Sequence, residues 1–176
     1  MTGDLVSLSA RAVRDLLKDR QVTPLELLEA LETRIAEVNG PVNALPTLCF
    51  ERARARAREQ DFSTLPLAGI PIVIKDLLTV SGVRTTFGSM AYRDHVPEIS
   101  DLLVERIEAA GGIVYAKSNT PEFGAGANTF NDVFGFTRNP WNTALSAAGS
   151  SGGSAGALAT GMAWLATGSD LGGSLR

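Results

Sequence analysis

The stretch Leu67-Ala68-Gly69-Ile70-Pro71-Ile72-Val73-Ile74-Lys75-Asp76 marks the point where helical periodicity gives way to short apolar runs. Residues 70–74 are apolar throughout, which is typical of a buried strand. Lys75 follows this strand directly, so its ammonium group must find a partner, lose its proton or reach water. The stretch therefore predicts both the first core strand and a lysine in an unusual environment.

A second strand follows one helix later. Ser100 is the predicted N-cap of a helix that carries Leu103, Ile107 and Ala110 and ends at Gly111-Gly112. Residues 113–116 are again apolar and predict the next strand. The order strand, helix, strand indicates an α/β fold.

The residues before this region predict helices. Apolar residues recur at helical spacing over 7–18, and Thr23-Pro24-Leu25-Glu26 has the pattern of a capping box. The helix that begins there is expected to run to about Val38 and to stop before Asn39-Gly40-Pro41. A third amphipathic segment contains arginines over 52–58, and we interpret it as a solvated helix face rather than a basic patch. Residues 1–62 are thus predicted to be mainly helical, and residues 63–176 to form the α/β part.

Composition excludes several classes of protein. The 176 residues are 44% hydrophobic and 20% charged, with a net charge of −3, which is ordinary for a globular domain. This charge provides no basic footprint for direct binding of nucleic acid or an anionic membrane.

Cys49 is the only cysteine, and we expect it to behave as a small buried hydrophobe. There is no signal-peptide pattern and no apolar run of about 18 residues, so we expect a cytoplasmic protein.

Two serine- and glycine-rich segments are candidates for chemistry: Gly149-Ser150-Ser151-Gly152-Gly153-Ser154 and Asp170-Leu171-Gly172-Gly173-Ser174-Leu175-Arg176. The glycines of the first segment allow close approach to another chain segment or a ligand, although such runs also occur as flexible loops. A phosphate-binding P-loop is excluded because no lysine follows position 117, and the dinucleotide fingerprint is absent from this segment.

The second segment and Lys75 have two interpretations each. Gly172-Gly173 before Ser174 leaves successive N–H groups able to point at one atom, as an oxyanion hole requires, but a turn that ends a strand is the alternative. Desolvation of Lys75 would favour the neutral amine that a general base needs. The alternative is that Lys75 extends to solvent or pairs with Asp76. The presence of both serine segments favours the catalytic interpretation.

Other catalytic arrangements lack the required residues. A Ser-His-Asp triad would have to use His95, the only histidine, which lies in a polar run and is expected to be a solvated loop residue. No serine lies three residues before any of the lysines, so a Ser-x-x-Lys pair is absent. A Ser-Ser-Lys arrangement is what remains. No Cys, His or carboxylate set has the spacing of metal ligands, and we predict no metal and no cofactor.

With Ser150 and Ser174 separated by 24 positions, the chain resembles the N-terminal part of the amidase signature family. The resemblance extends over essentially all 176 residues, including residues 67–76, 116–123 and 135–142. It implies a mixed β-sheet core covered by helices, incomplete here, with an N-terminal helical region, all within one domain. It also implies that family members continue well beyond the nucleophile.

The resemblance implies a role for each matching residue. Ser174 would be the acyl-forming nucleophile, Ser150 would relay protons, and Lys75 would be the base. The Gly149–Ser150 peptide would be cis, and the N–H groups of Leu171, Gly172, Gly173 and Ser174 would form the oxyanion hole. Supporting positions are Ser151, Ser154 and Asp170. Residues 123–134, which overlap a long packed loop predicted over 124–142, would border the acyl pocket.

The favoured function is hydrolysis of a small-molecule carboxylic amide. The alternatives are the glutaminase subunit of an aminoacyl-tRNA amidotransferase and a non-catalytic folding or interaction fragment. We expect residues 1–176 alone to be inactive, and to associate either with further copies of the chain or with the missing C-terminal portion.

Overall fold

The computed structural model describes residues 5–175. Within them the helices are α1 (Ala10–Lys18), α2 (Pro24–Val42), α3 (Phe50–Glu59), α4 (Leu102–Ala109) and α5 (Gly152–Ala159). The strands are β1 (Thr47–Leu48), β2 (Pro71–Lys75), β3 (Ile113–Ser118), β4 (Phe130–Asn131), β5 (Gly135–Phe136), β6 (Arg138–Asn139), β7 (Asn142–Ser146) and β8 (Leu165–Ala166). Short 3-10 turns occur at Met90–Tyr92 and Glu122–Gly124.

The central sheet has the strand order β1-β3-β2-β8. Strand β1 is antiparallel to β3, whereas β2 is parallel to both β3 and β8. The sheet is therefore mixed, which confirms the predicted α/β class. The register places Lys75 opposite Ser118, so that the end of β2 lies beside the end of β3.

The apolar run of β2 is explained by burial on both faces of the sheet. Val73 packs into the larger core cluster with side chains from α1, α2 and α3. Ile72 and Ile74 point the other way and pack with Val104 of α4. Because successive residues of a strand face opposite sides, a strand covered on both sides must be apolar throughout.

Helix α2 begins with the predicted capping box, since Thr23 and Glu26 bond to each other's N–H groups. The prediction that it stops before Asn39-Gly40-Pro41 is wrong, because the helix continues to Val42. It ends where Asn43 adopts a left-handed conformation (φ 53°, ψ 48°). The side-chain oxygen of Asn39 accepts from the N–H groups of the two residues after Asn43, which satisfies the chain as it leaves the helix.

Side-chain hydrogen bonds explain the role of Ser100 near the start of α4 and the environment of the arginines in α3. The N-cap of α4 is Asp101 rather than the predicted Ser100. The Ser100 hydroxyl accepts instead from the N–H of Ser81, at 2.9 Å, and so holds a neighbouring loop. Two of the four arginines of α3 pair with acidic residues: Arg52 bonds Glu108 at 2.7 Å and Arg54 bonds Glu32. This pairing agrees with the predicted helix face and not with a basic patch.

The segment over residues 124–142 is more regular than the predicted packed loop. It contains the antiparallel pair β4–β5 and part of the pair β6–β7. Buried Thr137 and Asn131 hold it to the domain, because their side chains bond Asn43, Asn119 and Thr120.

Candidate active site

Lys75 ends strand β2 with its side chain directed into the protein. The residue is 1% exposed, and its backbone N–H donates to the Thr167 hydroxyl at 2.7 Å. Its Nζ atom lies 2.7 Å from Ser150 Oγ, 2.8 Å from Ser169 Oγ and 3.0 Å from Ser151 Oγ. The amine is thus surrounded by hydroxyl groups from two separate segments.

Burial determines the shift in the pKa of Lys75. Desolvation lowers its pKa from 10.5 to about 8. The neighbouring Asp76 pairs with Lys117, at 2.8 Å between Nζ and Oδ1, and also accepts from Thr86. The two alternatives considered for Lys75, extension to solvent and pairing with Asp76, are therefore both wrong.

Ser150 connects the lysine to the second serine segment. It is 3% exposed, and the Gly149–Ser150 peptide is cis, as the resemblance implies. Ser150 Oγ lies 3.1 Å from Ser174 Oγ. Lys75, Ser150 and Ser174 come from three distant parts of the chain and form one continuous line of hydrogen bonds.

The three predicted supporting residues occupy different places. Ser151 bonds both Lys75 and the backbone carbonyl of Ser169, at 3.0 and 3.2 Å. Ser154 bonds other residues: its Oγ lies 2.7 Å from Ser118 Oγ and 2.7 Å from the backbone carbonyl of Thr167. The Asp170 carboxylate accepts from the N–H groups of Gly173 at 2.5 Å and Leu175 at 3.3 Å, and so closes the turn that carries Ser174.

Ser169 was missed by sequence reasoning. Its hydroxyl is as close to Lys75 as that of Ser150, within 0.1 Å. The available signal was its position: it is a small hydroxyl residue directly before the Asp170 segment already singled out.

The four backbone N–H groups predicted for an oxyanion hole differ in whether they already donate a hydrogen bond. Gly173, at φ 122°, donates to Asp170, so a role as oxyanion donor would require this bond to break. Within residues 5–175, the N–H groups of Leu171, Gly172 and Ser174 have no acceptor. Ser174 is partly buried, whereas Leu171, Gly172 and Gly173 before it are exposed.

Residues 121–132 contribute most of the wall of a cavity of about 450 Å³, with Gly88 and Met90 completing it. Glu122 and Asp132 line this cavity together with Phe130. The same segment contacts the turn that carries Ser150 (residues 148–152), because Thr129 bonds Ala148. The cavity wall is thus joined directly to that turn.

Other candidates lie elsewhere. His95 is exposed and stacks near Phe87, with 6.3 Å between ring centroids. Among residues 5–175, no three His, Cys, Asp or Glu side chains group as metal ligands. Over the same residues, no helix combines the length and apolarity needed to cross a membrane.

Comparison with known proteins places this chain in a family. The Amidase family model matches residues 26–176. The A subunit of glutamyl-tRNA(Gln) amidotransferase from Roseiflexus sp. (strain RS-1) is 42% identical over 98% of this chain, which covers 36% of that protein. The chain thus spans about a third of the length of the curated relatives it matches.

Solved structures agree with this result. A fatty acid amide hydrolase superposes with a TM-score of 0.92 and 25% identity, over 99% of this chain and 32% of that one. The A subunit of glutamyl-tRNA(Gln) amidotransferase from Thermotoga maritima superposes with a TM-score of 0.73 and 29% identity, over 100% of this chain and 35% of that one. The family match over residues 26–176, with which the mixed sheet agrees, shows that this chain belongs to the amidase signature family.

Proposed function

We propose that this chain carries the reactive groups of an amidase that hydrolyses a carboxylic amide through an acyl-enzyme on Ser174. The observation that carries the proposal is the hydrogen-bonded line from Lys75 Nζ through Ser150 Oγ to Ser174 Oγ, with distances of 2.7 and 3.1 Å. A serine hydroxyl is a weak nucleophile and needs an adjacent base. This line supplies one without histidine.

The direction of proton transfer depends on the charge of Lys75. When the amine is protonated, it donates to Ser150, which donates to Ser174. When the amine is neutral, the same atoms support the reverse order: Ser174 donates to Ser150, and Ser150 donates to Nζ. Only this second order removes the proton of Ser174 as its oxygen attacks the amide carbon.

The remaining steps use the same groups. Attack gives a tetrahedral oxyanion, for which the N–H groups of Leu171, Gly172 and Ser174 are the available donors. The proton held on Lys75 returns through Ser150 to the leaving amine as the C–N bond breaks. Water then repeats the sequence on the acyl-ester of Ser174 and releases the acid. Ser151 and Ser169 hold Nζ in place throughout.

The nucleophile can be tested by covalent labelling of the gene product that carries these residues. A fluorophosphonate or sulfonyl fluoride probe is expected to modify Ser174, as read by mass spectrometry of the peptide. Ser174→Ala should abolish labelling and turnover, whereas the control Ser63→Ala, at an exposed loop residue, should leave both unchanged. Labelling that persists in Ser174→Ala would overturn the assignment.

The substrate class we favour is a small-molecule amide, which is supported by the TM-score of 0.92 to a fatty acid amide hydrolase. The second candidate is the glutaminase subunit of an aminoacyl-tRNA amidotransferase, which is supported by 42% identity to a curated amidotransferase relative. Ammonia release from free glutamine, compared with release from a panel of aliphatic and aryl amides, separates the two. Hydrolysis of glutamine but of none of the other amides, at a rate that a partner protein increases, would favour the second candidate.

A further inference from the structure

We infer that Thr129 is a positioning residue for this reaction, one that holds the turn carrying Ser150 at the distance the relay requires. The inference rests on the proposed function. Thr129 lies outside both serine segments and 21 positions before Ser150. It comes from the segment that forms the wall of the cavity, directly before strand β4.

The hydrogen bonds of Thr129 span the turn from one side to the other. Its backbone N–H and its hydroxyl both donate to the carbonyl of Ala148, at 2.9 and 2.8 Å. The same hydroxyl oxygen accepts from the N–H of Gly152 at 3.1 Å. Thr129 is fully buried, so water does not compete for these bonds. The two bonded residues flank Gly149, Ser150 and Ser151.

Glycine on either side of the serines permits this close approach. A Cβ atom built on Gly152 would lie 2.4 Å from Thr129 Oγ1, and one built on Gly149 would lie 2.9 Å from it. Both distances are shorter than real Cβ contacts. Gly149 and Gly152 are therefore explained by the space that the Thr129 side chain occupies.

The relay depends on where this turn sits. Ser150 Oγ must stay near both Lys75 Nζ and Ser174 Oγ, and both contacts are already at ordinary hydrogen-bond length. A shift of about 1 Å would break at least one of them, and misplacement of that size can cost about 100-fold in rate. Thr129 makes no hydrogen bond to the side chains of Lys75, Ser150 or Ser174 among the described residues, so it acts through the backbone of the turn.

The test compares Thr129→Val with Thr129→Ser and with Thr137→Val in the gene product. Valine keeps the volume of threonine but removes both hydroxyl bonds, and serine keeps the hydroxyl. Thr137 is a matched control because it is equally buried and its hydroxyl also makes two bonds, to Asn43 and Asn119. Neither of those hydroxyl bonds reaches the Ser150 turn, and valine retains the backbone bonds that join Thr137 to Thr129 and Ala147.

Thr129→Val is expected to lower kcat by about 100-fold with little change in KM. Thr129→Ser should stay close to the parent rate, and Thr137→Val should lose thermal stability while it keeps the parent kcat. Hydrogen exchange should show loss of protection at the Gly152 N–H in Thr129→Val only. If Thr129→Val does not fold, Thr129→Ala is measured by the same criteria.

The inference is overturned if Thr129→Val, or Thr129→Ala in its place, retains the turnover of the Thr137 control, if protection at Gly152 is unchanged, or if Thr129→Ser folds but loses activity. Failure of the proposed function would look different. In that case the parent protein would neither hydrolyse amides nor react with the serine-directed probe, and the exchange of Gly152 would still report whether Thr129 holds the turn.

Discussion

Lys75 Nζ lies 2.7 Å from Ser150 Oγ, and within residues 5–175 no carboxylate pairs with it. The adjacent Asp76 is bonded to the other buried lysine, Lys117. These two lysines lie at the ends of neighbouring parallel strands but have different electrostatic surroundings. Burial lowers the pKa of both, and at Lys117 the charge of Asp76 opposes the shift. The chain thus separates a structural ion pair from an amine that can lose its proton near neutral pH.

The first prediction concerns pH. The pKa of Lys75 is lowered to about 8, so the amine is protonated below that pH and neutral above it. Because the neutral form is the base, kcat/KM should rise about tenfold per pH unit below this pKa and level off above it. A pH–rate profile from about 5.5 to 10 with an uncharged amide measures this, with thermal stability followed in parallel. A flat profile would contradict the assignment of the base.

The second prediction compares Lys75 with His95. Lys75→Met keeps most of the side-chain volume but removes the amine, and it should lower kcat by about 10²- to 10⁴-fold, the usual contribution of a general base. His95→Ala is the control, since this histidine is exposed and packs against Phe87 and Tyr92 rather than against Lys75, Ser150 or Ser174. Steady-state kinetics of both variants decide the matter. Loss of activity in the histidine variant alone would exclude a Ser-Ser-Lys mechanism.

The third prediction concerns the buried pair of Asp76 and Lys117. Both residues are at most 1% exposed, so removing one leaves an uncompensated charge inside the protein. Lys117→Met should therefore lower the free energy of unfolding by about 3–5 kcal/mol. The double variant Asp76→Asn, Lys117→Met should recover most of this loss. Urea unfolding measures all three proteins, and equal stability of the single and double variants would show that the pair is not coupled.

The fourth prediction uses two glycines in helices. A Cβ on Gly153 of α5 would lie 2.4 Å from the backbone N and 2.5 Å from the backbone O of Asn119, which cannot easily move. Gly153→Ala should therefore destabilise the protein by about 1–3 kcal/mol or more.

Gly40 of α2 is the matched control, because a Cβ atom on this residue would have nothing within 4 Å. Gly40→Ala should be neutral or stabilising by roughly 0.5–1 kcal/mol. Thermal unfolding of both variants tests the pair. If Gly153→Ala and Gly40→Ala are equally stable, α5 packs less closely against Asn119 than these distances indicate.

The fifth prediction concerns residues 1–176 expressed alone. Leu171, Trp141 and Ile99 are 102%, 80% and 74% exposed, and apolar surface of this kind favours association. We expect this chain by itself to self-associate in sedimentation experiments and to show no amide hydrolysis. A monomeric, cooperatively folding and active preparation would contradict this expectation.

Some features follow from local sequence alone. The capping box at Thr23 and Glu26 and the apolar run of β2 act through neighbouring residues, and the structure contains both as predicted. The predictions of the helix end near Pro41 and of the cap at Ser100 were wrong. Asn39 bonds the N–H of Ala44 just beyond the helix, and the Ser100 hydroxyl bonds Ser81, 19 positions away. Local pattern specifies which elements form more reliably than where they end.

The sequence by itself also singled out Lys75 and the two serine- and glycine-rich segments, because a lysine after an apolar strand and serines beside glycines are chemically conspicuous, and the resemblance to the amidase signature family selected Ser150 and Ser174 within those segments. Their meeting depends on the fold: Lys75 and Ser150 are 75 positions apart and meet only because β2 lies next to the turn before α5. The contact of Ser169 with Lys75, the pairing of Asp76 with Lys117 and the bonds of Thr129 across the turn are likewise decided only in three dimensions. The physical reason is that hydrogen bonds and desolvation act over a few ångströms of space, whatever the separation along the chain.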